Sequence, residues 1–128
     1  MRKLLLDTHT LLWWLADHPR IGVKAKSLIA EPRNAIYVCA VSHWEISINK
    51  SLGKLSAAEN LDQVVGEWGF TKLPISYFHG DQAGVLPKHH KDPFDRMLIA
   101  QAQSEGLSII TNDEIFSCYS VQIVKAPR

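Results

Sequence analysis

The sequence predicts an α/β fold in which a central parallel five-stranded sheet is covered by helices on both faces. Three observations predict it. Short strand-like runs alternate with helical segments along the whole chain, and parallel strands need such crossover connections. The first run, Lys3-Leu4-Leu5-Leu6, is apolar without alternation, as in a strand buried on both faces, and ends at an acid, Asp7. No repeat, low-complexity stretch or linker divides the chain, so residues 1–128 are read as one domain.

The elements follow in order. After the first strand a helix is expected from about Thr10 to Ala16, broken by Asp17-His18-Pro19. A second, Val23 to Ala30, stops before Pro32. Ala35 to Cys39, rich in β-branched and aromatic residues, is the second strand. Ser42-His43-Trp44-Glu45 has the capping-box pattern and opens a helix that Gly53 closes. Ser56-Ala57-Ala58-Glu59 repeats that pattern before a helix to about Trp68, with Gly69 behind it. Thr71 to Leu73 is a weak third strand, and Ser76 to Ala83 a short helix. Asp92-Pro93-Phe94-Asp95 starts a long helix that ends at Gly106, with Pro93 in the first helical position. Ser108 to Ile110 is strand four, Asp113 to Phe116 a helical turn, and Val121 to Val124 strand five.

Composition narrows the function classes. Of 128 residues, 46% are hydrophobic and 21% charged, an ordinary globular balance long enough to bury a core without disulfides or a structural metal. A net charge of +1 excludes a globally basic nucleic-acid coat and leaves room for a local basic strip. Two cysteines cannot form a disulfide framework or a four-cysteine zinc site, and Cys39 lies in an apolar run as a buried thiol would. The three leucines before Asp7 are too short for a signal peptide, and Leu11 to Leu15 too short to span a membrane. A cytoplasmic protein is expected.

In a parallel sheet of this kind the working site lies beyond the carboxyl ends of the strands. Asp7 ends strand one, Glu45 opens the helix after strand two, Asp95 sits in the first turn of the helix leading into strand four, and Asp113 follows that strand. Each acid has an ordinary explanation taken singly: Glu45 and Asp95 as third residues of capping patterns, Asp7 and Asp113 as caps or turn residues. Independent caps have no reason to converge on one sheet edge, and four carboxylates there repel one another without a counter-charge. Mg²⁺ or Mn²⁺, which prefer oxygen ligands, would supply it. There is no phosphate-binding glycine loop, no G-x-S-x-G and no H-E-x-x-H. Lys88, His89, His90 and Lys91, with Arg96, form the best local basic strip and suit RNA phosphate contacts as well as a solvated loop.

Four segments together carry a family resemblance: Leu4-Leu5-Leu6-Asp7-Thr8-His9-Thr10, Ser42-His43-Trp44-Glu45-Ile46, His89 through Ala102 with Asp92-Pro93-Phe94-Asp95-Arg96, and Thr111-Asn112-Asp113. The chain resembles a PIN domain over essentially its whole length, and more narrowly the VapC-type toxins of bacterial toxin–antitoxin pairs. The resemblance implies a three-layer α/β/α fold and a metal site at Asp7, Glu45, Asp95 and Asp113, with the Thr111 hydroxyl beside it. It implies metal-dependent RNA cleavage, a homodimer, and restraint by a small VapB-like antitoxin. Thr8, Thr111 and Asn112 are candidates to hold the carboxylates from behind.

Other classes make weaker fits. An aspartyl-phosphate phosphatase needs a second acid two residues after Asp7, where His9 stands. A phospho-receiver needs an Asp at the end of its middle strand, and Thr71-Lys72-Leu73-Pro74 supplies none. A PIN fold acting only as a binding partner remains the non-enzymatic alternative. Trp13 and Trp14, on a helix apolar all round, are expected at an interface with a partner subunit or antitoxin. Asp92, before Pro93, is expected to cap its helix, leaving Asp95 one turn in for the metal.

Overall fold

The chain begins in the middle of its sheet, works outward to one edge, then returns and finishes at the other. The computed structural model describes residues 1–57 and 59–126. Its elements are β1 (Lys3–Leu6), α1 (Thr8–Leu15), α2 (Val23–Ala30), β2 (Ala35–Cys39), α3 (Ala40–Ser51), α4 (Leu61–Glu67), β3 (Thr71–Leu73), α5 (Tyr77–Val85), α6 (Pro93–Glu105), β4 (Ser108–Thr111), a 3-10 turn (Glu114–Cys118) and β5 (Ile123–Lys125). The strand order is β3-β2-β1-β4-β5, and every pairing is parallel. This is the predicted α/β/α architecture.

Period-two alternation sorts the strand residues into two cores. Leu4, Leu6, Ile36, Val38, Ile110 and Val124 face α1, α2 and α4, joined by Leu11, Ala25, Ile29 and Val65. Leu5, Cys39 and Ile109 face the other way, against Leu98, Ile99 and Ala102 of α6 and Leu86 after α5. α3 serves both, giving Ile46 to the first core and Val41 to the second. Leu4, Leu5 and Leu6 are wholly buried, so truncating any one to alanine should cost roughly 2–5 kcal/mol. β1 is the central strand, which is why it is apolar on both faces.

Several boundaries differ from expectation, each for a local reason. α1 starts at Thr8 because Asp7 is itself the N-cap, its Oδ1 accepting the Thr10 N–H at 2.8 Å. α3 follows β2 without a loop: Cys39 caps it, its Sγ accepting the Val41 N–H at 3.2 Å. The Ser42–Glu45 capping box therefore does not form; Ser42 is buried inside the helix and Glu45 lies in its second turn. α4 starts at Leu61 behind Asn60, later than Ser56–Glu59 implied, and Ala58 of that pattern lies outside the described residues. β5 covers Ile123–Lys125, two residues later than its expected start. α6 keeps its expected signals, with Asp92 capping the Phe94 N–H, Pro93 first in the helix and Gly106 left-handed at its end (φ 69°). No helix among the described residues is long and apolar enough to cross a membrane. Both cysteines are free; burial pushes the Cys39 thiol above its ordinary pKa.

Candidate metal centre

The strand order reverses between β1 and β4, since the chain leaves β1 toward β2 and later returns to β4. Their carboxyl ends form the switch-point crevice, and Asp7 and Asp113 follow those two strands. Asp7 is only 3% exposed. Its N–H donates to Ile110 O at 3.2 Å, and the Thr10 hydroxyl donates to the same carbonyl at 3.0 Å, which ties the start of α1 to β4. Thr111 bridges the two acids: its hydroxyl donates to Asp7 Oδ2 at 2.5 Å and accepts the Asp113 N–H at 3.0 Å. Burial pushes Asp7 above its ordinary pKa, opposed by its bonds to Thr111 and Thr10.

Glu45 reaches the crevice from the second turn of α3, so no helix end supports it. Instead the Thr8 hydroxyl donates to its Oε1 at 2.7 Å, and Ser42 Oγ lies 3.1 Å from the same hydroxyl. Asp95 is the third residue of α6 and partly buried. Its pKa is raised to about 7, first by burial and then by the charge of Asp92, with Asp7 and Glu45 adding to it against an opposing pull from His90. Burial comes first in this shift, and the acidic neighbours add the repulsion that a counter-charge would relieve. Asp113 caps the 3-10 turn through Oδ1, which accepts the Ile115 N–H at 2.9 Å. Its Oδ2 lies 3.0 Å from His90 Nε2, and that nitrogen also lies 2.9 Å from Asp95 Oδ2. One ligand atom from each of His90, Asp95 and Asp113 falls within 4.8 Å of the others.

The expected basic strip divides. Lys88, His89 and Lys91 are exposed. His90 turns inward to the acids, its ring edge-on to Phe116, and so leaves the strip. Arg96 is a correction of another kind. Its guanidinium donates to four backbone carbonyls, those of Ala83 (2.7 Å), Leu86 (3.0 Å), Pro87 (3.0 Å) and His90 (3.2 Å). Four of its five N–H groups are thereby used in stapling the segment before α6, which removes it as an open phosphate contact. Asn112 is exposed and makes no side-chain hydrogen bond among the described residues, so of the three candidates only Thr8 and Thr111 bond to the acids.

Sequence reasoning missed His90 as a member of the acid cluster, and missed Tyr119, whose hydroxyl accepts the His90 N–H at 2.8 Å and donates to Pro87 O at 2.7 Å. Position directly ahead of the Asp92–Asp95 segment was the available signal for His90; Tyr119 had none. Trp13 and Trp14 are half-buried. Trp13 stacks on His18 under the Arg20 guanidinium, and Trp14 packs against Trp68 and Phe70 and shares a groove with Ile29 and Ala30 of α2.

Comparison with known proteins agrees with this architecture. The family model of the PIN domain matches residues 4–121. Ribonuclease VapC22 of Mycobacterium tuberculosis (strain ATCC 25618 / H37Rv) is 29% identical over 121 residues, covering 88% of this chain and 88% of that protein. Among solved structures, VapBC2 from Rickettsia felis bound to a DNA fragment from its promoter superposes with a TM-score of 0.71 at 16% identity, over 95% of this chain and 97% of that one. DNA-bound VapBC from Salmonella typhimurium gives 0.68 at 20% identity, over 97% and 98%. At those identities the structures speak for the shared fold.

Proposed function

Because the chain belongs to the PIN-domain family, we propose that it is an endoribonuclease that uses Mg²⁺ or Mn²⁺ to hydrolyse RNA phosphodiester bonds, and the toxin of a toxin–antitoxin pair. The carrying observation is the meeting of the acids at one crevice: Asp95 Oδ2 and Asp113 Oδ2 lie 2.9 and 3.0 Å from the same His90 nitrogen, and Thr111 joins Asp113 to Asp7. A donor set of carboxylate oxygens fits a hard divalent cation, and the missing positive charge is what such an ion provides. Asp7, Glu45, Asp95 and Asp113 would hold it. When bound, the ion supplies an acidified water and neutralises charge on the phosphoryl group.

The remaining work falls to the chain. Thr111 and the Thr10 N–H orient Asp7, and Thr8 orients Glu45. Glu45 Oε2 has no protein hydrogen bond among the described residues, so it is the oxygen open to accept a proton from the attacking water. Attack on phosphorus in line with the departing 3′ oxygen leaves 5′-phosphate and 3′-hydroxyl ends. Lys88 and Lys91, exposed beside the crevice, contribute phosphate contacts. A VapB-like antitoxin and a second copy of the chain are the protein partners of this reading, and half-buried Trp13 and Trp14 are the surface offered to one of them. RNA in the cytoplasm is the substrate pool.

The test is incubation of the protein with defined RNAs in Mn²⁺ or Mg²⁺, followed by mapping of the ends. Cleavage with 5′-phosphate products that chelator abolishes is the expected result. RNA left intact with either ion would reduce the chain to a PIN fold that binds a partner.

A further inference from the structure

His90 is connected through both ring nitrogens. Nδ1 accepts the Asp92 N–H at 3.2 Å. That acceptor role leaves Nε2 as the donor of the ring. Nε2 in turn lies 2.9 Å from Asp95 Oδ2 and 3.0 Å from Asp113 Oδ2. A nitrogen that ligates a metal must present a lone pair. Moving the proton to Nδ1 would set its N–H against the Asp92 N–H, so the backbone disfavours that tautomer. The residue's own backbone is held as well, with its N–H on the Tyr119 hydroxyl and its carbonyl on Arg96.

We infer that His90 is a placeholder for the cation: its Nε2–H joins Asp95 to Asp113 in the metal-free protein and yields when an ion enters. The inference rests on reading these acids as a cation site. It makes His90 a positioning residue, neither a ligand nor an RNA contact. Two consequences follow from these hydrogen bonds. The metal-free crevice keeps two mutually repelling carboxylates at a common donor, and the ion must displace that donor before it can bind both. His90 therefore weakens cation binding while it holds Asp95 and Asp113 in place.

The sign of this effect makes it testable without RNA. Mn²⁺ affinity is measured by titration calorimetry on the full chain and on His90→Ala and His90→Gln. Loss of the donor in His90→Ala should tighten Mn²⁺ binding about tenfold, the scale of one hydrogen bond to a charged group. Glutamine places an amide N–H near the position of Nε2, so His90→Gln should stay within about twofold of wild type. His90→Leu, which keeps apolar contact with Phe116, replaces the alanine variant if that one does not fold. Weaker Mn²⁺ binding in the variant without a donor would make His90 a ligand and overturn the inference, and unchanged binding would overturn it equally. In both cases wild-type binding leaves the cation-site reading standing; a wild type that binds no Mn²⁺ sinks both.

Discussion

Two histidines in this molecule are wired alike and serve different ends. His79, 4% exposed, takes the Ser76 N–H on Nδ1 at 3.0 Å and sets Nε2 3.0 Å from Glu105 Oε2. His90 takes the Asp92 N–H on Nδ1 and sets Nε2 against Asp95 and Asp113. The first contact locks α5 to α6: Ser76 and His79 complete a capping box, and Glu105 is half-exposed, so its charge is solvated. The second has two partly buried carboxylates on one donor, with Asp7 and Glu45 behind them. A histidine–carboxylate contact is therefore no mark of function by itself. Negative charge in excess of what the protein compensates is the distinguishing feature.

The widest separation between the two regions should come from removing a carboxylate in each. Asp7→Asn should lower RNA cleavage by about a thousandfold or more, because metal-assisted stabilisation of the phosphoryl group supplies several kcal/mol. The fold should survive, since asparagine caps a helix about as well as aspartate. Glu105→Gln should cut at the wild-type rate. Equal cleavage by Asp7→Asn and wild type in a gel assay would break the comparison. Next in size, His79→Ala leaves the Ser76 N–H without its side-chain partner and opens space between α5 and α6. It should cost about 1–3 kcal/mol in denaturant unfolding and leave Mn²⁺ affinity untouched.

A pH series sharpens the contrast further. Asp95 titrates near 7 in the folded chain against an ordinary value of 3.8. Between those values the folded form holds a proton that the unfolded form has lost, so stability falls as pH rises from about 4 to about 7. Thermal melts in chelator should show the decline, Asp95→Asn should lessen it, with buried Asp7 supplying part of what is left, and saturating Mn²⁺ should oppose it. A chelated wild type whose melting temperature rises across that window would contradict the charge excess assigned to the site. The smallest effect belongs to Asp92. Its Oδ1 caps α6, so Asp92→Asn should change stability by no more than about 0.5 kcal/mol and leave RNA cleavage measurable, where Asp95→Asn abolishes it.

Much of this was legible in the sequence because it depends on neighbours a few residues away. Strand and helix order, the Asp92-Pro93 start and Gly106 end of α6, and the burial of Leu4, Leu5 and Leu6 rest on periodicity and capping chemistry. The four acids could be placed near one sheet edge for the same reason, since Asp7 and Asp113 directly follow strands, Glu45 lies early in the helix after β2, and Asp95 lies in the first turn of the helix that leads into β4. The capping box at Ser42 failed because β2 runs into α3 without a loop, and a cysteine ending a strand gives no sign that its thiol will cap a helix.

What only the tertiary structure decided lies where distant segments meet. Thr111 reaches Asp7 across 104 positions of sequence, and Thr8 reaches Glu45 across 37. Arg96 and His90 look like equivalent members of one basic strip, yet one is consumed by backbone carbonyls and the other by carboxylates. Charge and hydrogen-bonding capacity belong to the residue and can be read from its letter. Which partner uses that capacity depends on how β4 and α6 pack beside β1, a property of the whole chain that no local pattern encodes.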